Sequence, residues 1–303
     1  MAVSEISGVL NINKPAGITS HDVVNAIRRL YNTKRVGHTG TLDPMATGVM
    51  VVLVGRAAKA AEYITAVDKC YSAGLKLGIT TDTGDITGRI TARSQTLPNA
   101  AAVEAATARF KGDIMQTPPM YSAIKVNGRK LLDYARRGIE IERAARSISI
   151  YSISVKTVCE MQGEYVLDVH CSAGTYIRVL CEDIGAETDC GGTMSHLQRT
   201  ASGTFTINDA HTLTELESMS EKNRVGLLIP IETLFCDCPE LYLTGFLAKL
   251  ARSGAEIYQS KTDTAYAEGE RVCIYDDVGF LALGEVRAYE NGSAVKPIKF
   301  FRI

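Results

Sequence analysis

A chain of 303 residues with 46% hydrophobic and 22% charged residues is long and apolar enough to bury a large core, so disorder is set aside in favour of one large domain or a domain plus a small appendage. The formal net charge of -1 excludes a generally basic nucleic-acid wrapper and an acidic solvating protein. Residues 1–150 nevertheless carry 20 Lys/Arg against 12 Asp/Glu, and residues 151–303 carry 13 against 22, which leaves room for a polyanion on a face built from the first half.

Gly8-Val-Leu-Asn-Ile-Asn-Lys-Pro15 reads as a short strand that stops where Pro15 has no N–H to continue a ladder. Thr19 or Ser20 caps the next element, and Val23, Val24, Ile27 and Leu30 at helical spacing predict a helix running into the basic residues Arg28, Arg29, Lys34 and Arg35. A glycine-rich stretch over 37–48 precedes a strand over 49–54, a helix through the alanine run 57–66 and an alternating segment over 70–77. A helix is expected over 98–110, Pro118-Pro119 interrupt regular structure beyond it, Asn127-Gly128 form a turn within 125–130, and a short helix over 130–137 ends at Gly138. Segments 148–158 and 164–170 alternate as paired strands joined by Met161-Gln-Gly163, and a helix is expected over 175–184. From about 238 a second unit is expected, with a helix over 244–252 and short strands over 271–275, 280–286 and 294–298 that suit a small barrel.

The eight cysteines are irregularly spaced and no signal-peptide pattern precedes them, so they read as free thiols of a cytosolic protein. Cys236-Asp237-Cys238 lacks the second close pair or histidine of a zinc site, so no metal is expected. The apolar run Val49 to Val54 is closed by Gly55 and Arg56, short of a membrane span, and a soluble chain is expected. Residues 37–48 lack both the Gly-Lys-Ser/Thr ending of a nucleotide loop and the spacing of a dinucleotide fingerprint. They hold one carboxylate, Asp43, between Leu42 and Pro44, which by residue type alone is either a turn cap or an exposed reactive group.

The stretch Gly37-His-Thr-Gly-Thr-Leu-Asp-Pro-Met-Ala-Thr-Gly48 closely resembles the signature of the bacterial tRNA pseudouridine synthase B family, whose members isomerise uridine 55 in the T loop. The resemblance continues in order through Gly8 to Pro15, Lys69-Cys-Tyr71, Thr81-Asp-Thr83 with Asp85 and Gly88, Pro118-Pro-Met-Tyr-Ser-Ala-Ile-Lys125, Gly174-Thr-Tyr-Ile-Arg178 and Leu197-Gln-Arg-Thr200. More loosely, the end of the chain is similar to the small PUA barrel that often succeeds this catalytic domain. The resemblance implies an α+β pseudouridine synthase fold with a mixed, largely antiparallel sheet. It implies a catalytic domain over 1–237 with an RNA-binding insertion around 80–145, and a PUA-like β-barrel over 238–303.

The same resemblance implies roles. Asp43 is the essential aspartate and must start deprotonated, Arg178 pairs with it and favours its charged form, and Tyr71 stacks on a turned-out base and assists proton transfer from C5. Tyr176 and Leu197 are pocket wall, His38 lies by the flipped nucleotide, and Lys14 with Pro15 braces the active-site loop. Arg28, Arg29, Lys34, Arg35, Lys125, Arg129, Lys130, Arg136 and Arg137 are candidates for phosphate contacts along the T arm. Substrate and product are isomers, so the reaction requires no cofactor, and the carboxylate either attacks the nucleotide or removes a sugar proton.

The chain departs from the family pattern at Ser72, Thr80, Ala173 and Gln198, positions where basic residues are common, which puts individual RNA contacts in doubt but not the chemistry. A localised contact of the acidic C-terminal unit with the acceptor end is expected through Lys296, Lys299 or Arg302. A cytoplasmic monomer acting on tRNA is preferred. The rivals are a pseudouridine synthase for another RNA, a tRNA-binding or folding factor without catalysis, and, third, a nucleotide-binding enzyme.

Overall fold

The computed structural model describes residues 6–64, 67–126 and 128–302. Strand β1 (Gly8–Lys14) leads into helix α1 (Ser20–Leu30), where Thr19 and Asp22 form a reciprocal capping box and Val23, Val24 and Ile27 are buried. Because Thr19 is the cap, the Ser20 side chain is free to bond outside its own helix. Strands β2 (Val36–His38) and β3 (Thr47–Val54) come next, β3 pairing antiparallel with both β1 and β2.

Side chains of β3 alternate between two cores: Met50, Val52 and Val54 pack on the α1 stripe, while Val49, Val51 and Leu53 face Phe235, Phe280 and Phe301 near the C-terminus. The alanine run forms a 3-10 helix, Gly55–Tyr63, in place of the predicted α-helix over 57–66, whose residues 65 and 66 lie outside the described residues. Ala57 and Ala60, three apart, stack one above the other at three residues per turn and bury together.

The chain continues through β4 (Lys69–Leu77), the ribbon β5 (Ile79–Thr81) with β6 (Ile90–Arg93), α2 (Ala100–Ala108) and β7 (Gly112–Gln116). The hairpin β8 (Lys125–Val126) with β9 (Arg129–Lys130) surrounds the predicted Asn-Gly turn; Asn127 lies outside the described residues, and Gly128 takes a left-handed φ of 78°. After α3 (Leu131–Ala135), strands β10 (Arg146–Cys159) and β11 (Glu164–Cys171) pair as their alternation predicts. Helix α4 (Ile177–Glu187), strands β12 (Gly192–Ser202) and β13 (Phe205–Thr206), and helices α5 (Leu213–Ser218) and α6 (Glu221–Gly226) complete this body.

The strands form one nine-stranded sheet in the order β1-β3-β12-β4-β11-β10-β7, with β2 beside β3 and β13 beside β12. Its described pairings are antiparallel except β3 with β12. Strand β12 escapes sequence reading, since Ser195, His196, Gln198 and Arg199 break the apolar alternation and two register shifts interrupt its ladder with β4. It is a strand because β3 and β4 satisfy its backbone from both sides.

At the C-terminus, β14 (Glu240–Tyr242), α7 (Gly245–Arg252), β15 (Ile257–Tyr258), β16 (Arg271–Asp276), β17 (Gly279–Tyr289) and β18 (Gly292–Phe300) build a five-stranded sheet ordered β14-β16-β17-β18-β15. The expected closed barrel is instead a half-barrel: the edge strands β14 and β15 are very short and do not pair among the described residues, and Ala248 and Ala251 of α7 enter its core. The half-barrel is joined to the main body by a continuous apolar core that includes Phe235, Cys273, Leu283 and Phe301. Lys299 pairs with Glu62 and lies over the Tyr63 ring beside Arg271, Lys296 pairs with Glu256, and Arg302 pairs with Asp276. Each of the three cations expected to meet RNA thus has an intramolecular carboxylate partner, Glu256 and Asp276 from the acidic half and Glu62 from the first half, and each stays partly exposed. All eight cysteines are free thiols, and among the described residues no helix is long and apolar enough to cross a membrane.

Candidate active site

Two clefts, of about 580 and 770 Å3, meet at Asp43 and Arg178. Asp43 sits in the irregular loop between β2 and β3, and three neighbours hold that loop from different sides. Lys14, fully buried at the end of β1, donates from Nζ to the carbonyls of Pro15 (2.9 Å), Pro44 (3.2 Å) and Ala46 (2.7 Å). The Ser20 hydroxyl accepts from the Leu42 amide at 2.8 Å and donates to the Leu42 carbonyl at 2.9 Å. From β12, Arg199 donates to the Gly40 carbonyl at 3.1 Å. These bonds fix the backbone on either side of Asp43 while its carboxylate faces the clefts.

Arg178, in the first turn of α4 and 6% exposed, places one terminal nitrogen 3.1 Å from Asp43 Oδ2 and the other 3.7 Å from Asp85 Oδ2. The same two nitrogens donate to the carbonyls of Tyr121 (2.8 Å) and Thr83 (2.9 Å), so the guanidinium plane is fixed by four oxygens. Asp85 is itself buried and accepts bonds from Thr83 and from the Thr87 amide and hydroxyl. Burial pushes the Asp43 carboxyl above the ordinary carboxylate value, Arg178 and Lys14 pull it back, and Asp85 adds to the upward push. Lys14 is pushed down to about 8 by burial, against the attraction of Asp43.

Tyr71, on β4, lines the smaller cleft; burial raises its hydroxyl pKa, and the Arg199 guanidinium beside it opposes that rise. Tyr176 and Leu197 line the same cleft, and the buried Gln116 clamps the Tyr176 backbone by accepting from its amide at 2.8 Å and donating to its carbonyl at 3.1 Å. His38 and Lys130 line the larger cleft with Asp43, Asp85 and Arg178. Burial lowers the His38 pKa, favouring the neutral imidazole, and its Nδ1 has no hydrogen-bond partner among the described residues.

The sequence-selected residues thus separate into groups. Asp43, Tyr71, Arg178, Tyr176 and Leu197 converge on one cleft, His38, Lys130 and Arg136 on the other, and Lys14 lies beneath the loop rather than in a cleft. Arg28, Arg29, Lys34, Arg35, Lys125, Arg129 and Arg137 line neither. Arg28 is part-buried and bonded to Asn25, whereas Arg29, Lys34, Arg35, Lys125, Arg129 and Arg137 present exposed surface. Residue-by-residue reasoning overlooked Asp85, Gln116, Tyr121 and Arg199; Asp85, Tyr121 and Arg199 stand within or beside the recognised sequence blocks, which was the available signal, while Gln116 had none.

The sequence profile described as TruB family pseudouridylate synthase (N terminal domain) matches residues 28–177, and that of the tRNA pseudouridylate synthase B C-terminal domain matches residues 178–235. The chain belongs to the TruB family of pseudouridylate synthases. Asp43, Tyr71 and Arg178 fall within these matched regions, Arg178 at the start of the second. The TruB-family chain is 40% identical over 300 residues to tRNA pseudouridine synthase B of Alkaliphilus oremlandii (strain OhILAs), covering 98% of each protein. It is 41% identical over 283 residues to tRNA pseudouridine synthase B of Bacillus subtilis (strain 168), covering 90% of this chain and 91% of that one. Among solved structures it resembles a Cbf5-Nop10-Gar1 complex, with a TM-score of 0.73, 25% identity, and coverage of 97% of this chain and 85% of that chain. An H/ACA RNP bound to a substrate RNA containing 2'-deoxyuridine shares the fold, with a TM-score of 0.70, 23% identity, and coverage of 98% of this chain and 85% of that chain. The fold of this TruB-family member is therefore that of the pseudouridine synthases.

Proposed function

We propose that the protein converts uridine 55 in the T loop of tRNA to pseudouridine, with Asp43 as the essential carboxylate. The observation that carries this reading is the ion pair of Asp43 with the buried Arg178, at the junction of two clefts, in a family of pseudouridylate synthases. In the reaction the N1–C1' bond of the nucleotide breaks, the base rotates, C5 joins C1', the C5 proton leaves and N1 takes up a proton, so substrate and product are isomers and atoms balance without a cofactor. The ionised Asp43 attacks the nucleotide or takes a sugar proton, and Arg178 keeps it ionised and aimed. Tyr71 offers an aromatic face to the base and a hydroxyl for the C5 proton, while the Tyr176 and Leu197 side chains complete the wall.

A uridine in an intact loop does not reach Asp43, so the nucleotide is turned out into the cleft. The larger cleft, with the unpartnered Nδ1 of His38 and the exposed Lys130 and Arg136, suits the adjoining RNA backbone. The remaining exposed cations of the first half steer the T arm. Residues 1–237 form the catalytic domain with an RNA-binding insertion around 80–145, and residues 238–303 form a PUA-like unit that approaches the acceptor end. The enzyme acts as a cytoplasmic monomer.

The test is pseudouridine mapping on an unmodified tRNA transcript incubated with the wild type or with Asp43→Asn. Conversion at uridine 55 by the wild type alone is the expected result. A wild type that binds tRNA tightly without converting it overturns the assignment.

A further inference from the structure

Arg199 is the bulkiest fully buried side chain among the described residues, and no carboxylate there lies within ion-pair distance of it. A buried cation is costly unless its donors are met. Backbone carbonyls meet them here: Nε donates to Val49 at 2.6 Å, one terminal nitrogen to Gly40 at 3.1 Å, and the other makes a long contact of 3.5 Å to Thr41. On the adjoining strand its cross-strand neighbour is Tyr71, both side chains line the smaller cleft, and the guanidinium charge opposes the rise that burial gives the Tyr71 hydroxyl pKa. The fork therefore spans the strand that carries Tyr71 and the loop segment that ends in Asp43.

Backbone design around Arg199 supports a specific placement. Gly48 takes a φ of 100°, and a Cβ there would stand 2.2 Å from the Arg199 carbonyl oxygen, so glycine is what lets β12 approach β3 at this residue. The register of β12 against β4 shifts immediately after Arg199, which re-aims the strand at that point.

We propose that Arg199 is a positioning residue for the isomerisation, setting the Tyr71 hydroxyl and the Gly40–Thr41 segment before Asp43 in one frame. The proposal rests on the isomerase reading above. It goes beyond pairing of the carboxylate with Arg178, because Arg199 touches neither Asp43 nor Asp85; it acts through Tyr71 and through the loop backbone. A lysine in the same slot retains a charge and a donor but has no fork to span both arms.

The experiment compares the wild type with Arg199→Lys and Arg199→Met by thermal melting, by tRNA affinity, and by the single-turnover rate of pseudouridine formation on an unmodified tRNA transcript. The expected result is that Arg199→Lys folds, binds tRNA within about threefold of the wild type, and isomerises it roughly tenfold to a hundredfold more slowly, with a larger rate loss for Arg199→Met. A structural role alone would lower melting temperature and affinity together with the rate. The proposal is overturned if Arg199→Lys matches the wild-type rate, if its rate loss is matched by an equal loss of affinity, or if it fails to fold. An inactive wild type overturns the isomerase reading, whereas an active wild type beside an indifferent Arg199→Lys overturns this inference alone.

Discussion

Asp43 and Arg178, from a loop and from a helix far apart in the chain, approach to 3.1 Å, and the arginine holds that position because it is also bonded to the carbonyls of Tyr121 and Thr83. A carboxylate opposite a fixed guanidinium is ready to act as an ion even though burial raises its pKa. Replacing Asp43 with Asn is expected to lower the isomerisation rate by about a thousandfold or more with tRNA affinity nearly unchanged, measured by single-turnover assay and filter binding.

The same raised pKa carries a stability consequence. A carboxyl whose folded pKa lies above its unfolded value stabilises the fold at low pH and loses that contribution as pH rises through the folded value. Asp43→Asn removes the cost of the buried charge, so urea unfolding at neutral pH should find the variant at least as stable as the wild type. A clear loss of stability would mean that Arg178 depends on Asp43 for its own burial.

Lys14 predicts an alkaline limit. Its three acceptors, the carbonyls of Pro15, Pro44 and Ala46, use all the donors of an ammonium, and burial brings its pKa down to about 8. Between that value and 10.5 the unfolded chain binds the proton more tightly, so the lysine's contribution to folding improves with pH even as the neutral amine loses one loop bond. The pH–rate profile should therefore decline above about 8 without a parallel fall in melting temperature. Lys14→Met should be slow at every pH and lack that limb.

Gln116 supports the cleft from behind. Its side chain is buried and its two bonds to the Tyr176 backbone are part-buried, and Gln116→Ala leaves that amide and carbonyl without their partner. A loss of about 1–3 kcal/mol in urea unfolding is expected, together with a raised KM as Tyr176 moves off the cleft wall.

Lys130 and Lys34 separate cleft contacts from general surface charge. Lys130 lines the larger cleft and Lys34 lines neither. In titrations of tRNA affinity against salt, Lys130→Gln should reduce the logarithmic slope by about 0.7–0.9 and Lys34→Gln by much less. Equal slopes for the two variants would remove the larger cleft from the RNA path.

Local pattern and motif were enough to identify much of this protein. The α1 stripe, the β10–β11 pair, and the blocks carrying Asp43, Tyr71 and Arg178 were legible because periodicity, capping and ordered motifs are properties of neighbouring residues. Tertiary structure decided the features that depend on distant partners. Strand β12 exists through its ladders to β3 and β4, the 3-10 turn through close packing of Ala57 and Ala60, and the half-barrel through edge strands too short to close it. It also drew Lys296, Lys299 and Arg302 into intramolecular ion pairs, and gave Arg178 both Asp43 and Asp85 as neighbours. A charge shows its sign in the sequence, but its partner is chosen by which oxygens the folded backbone brings within reach and by how little water remains between them.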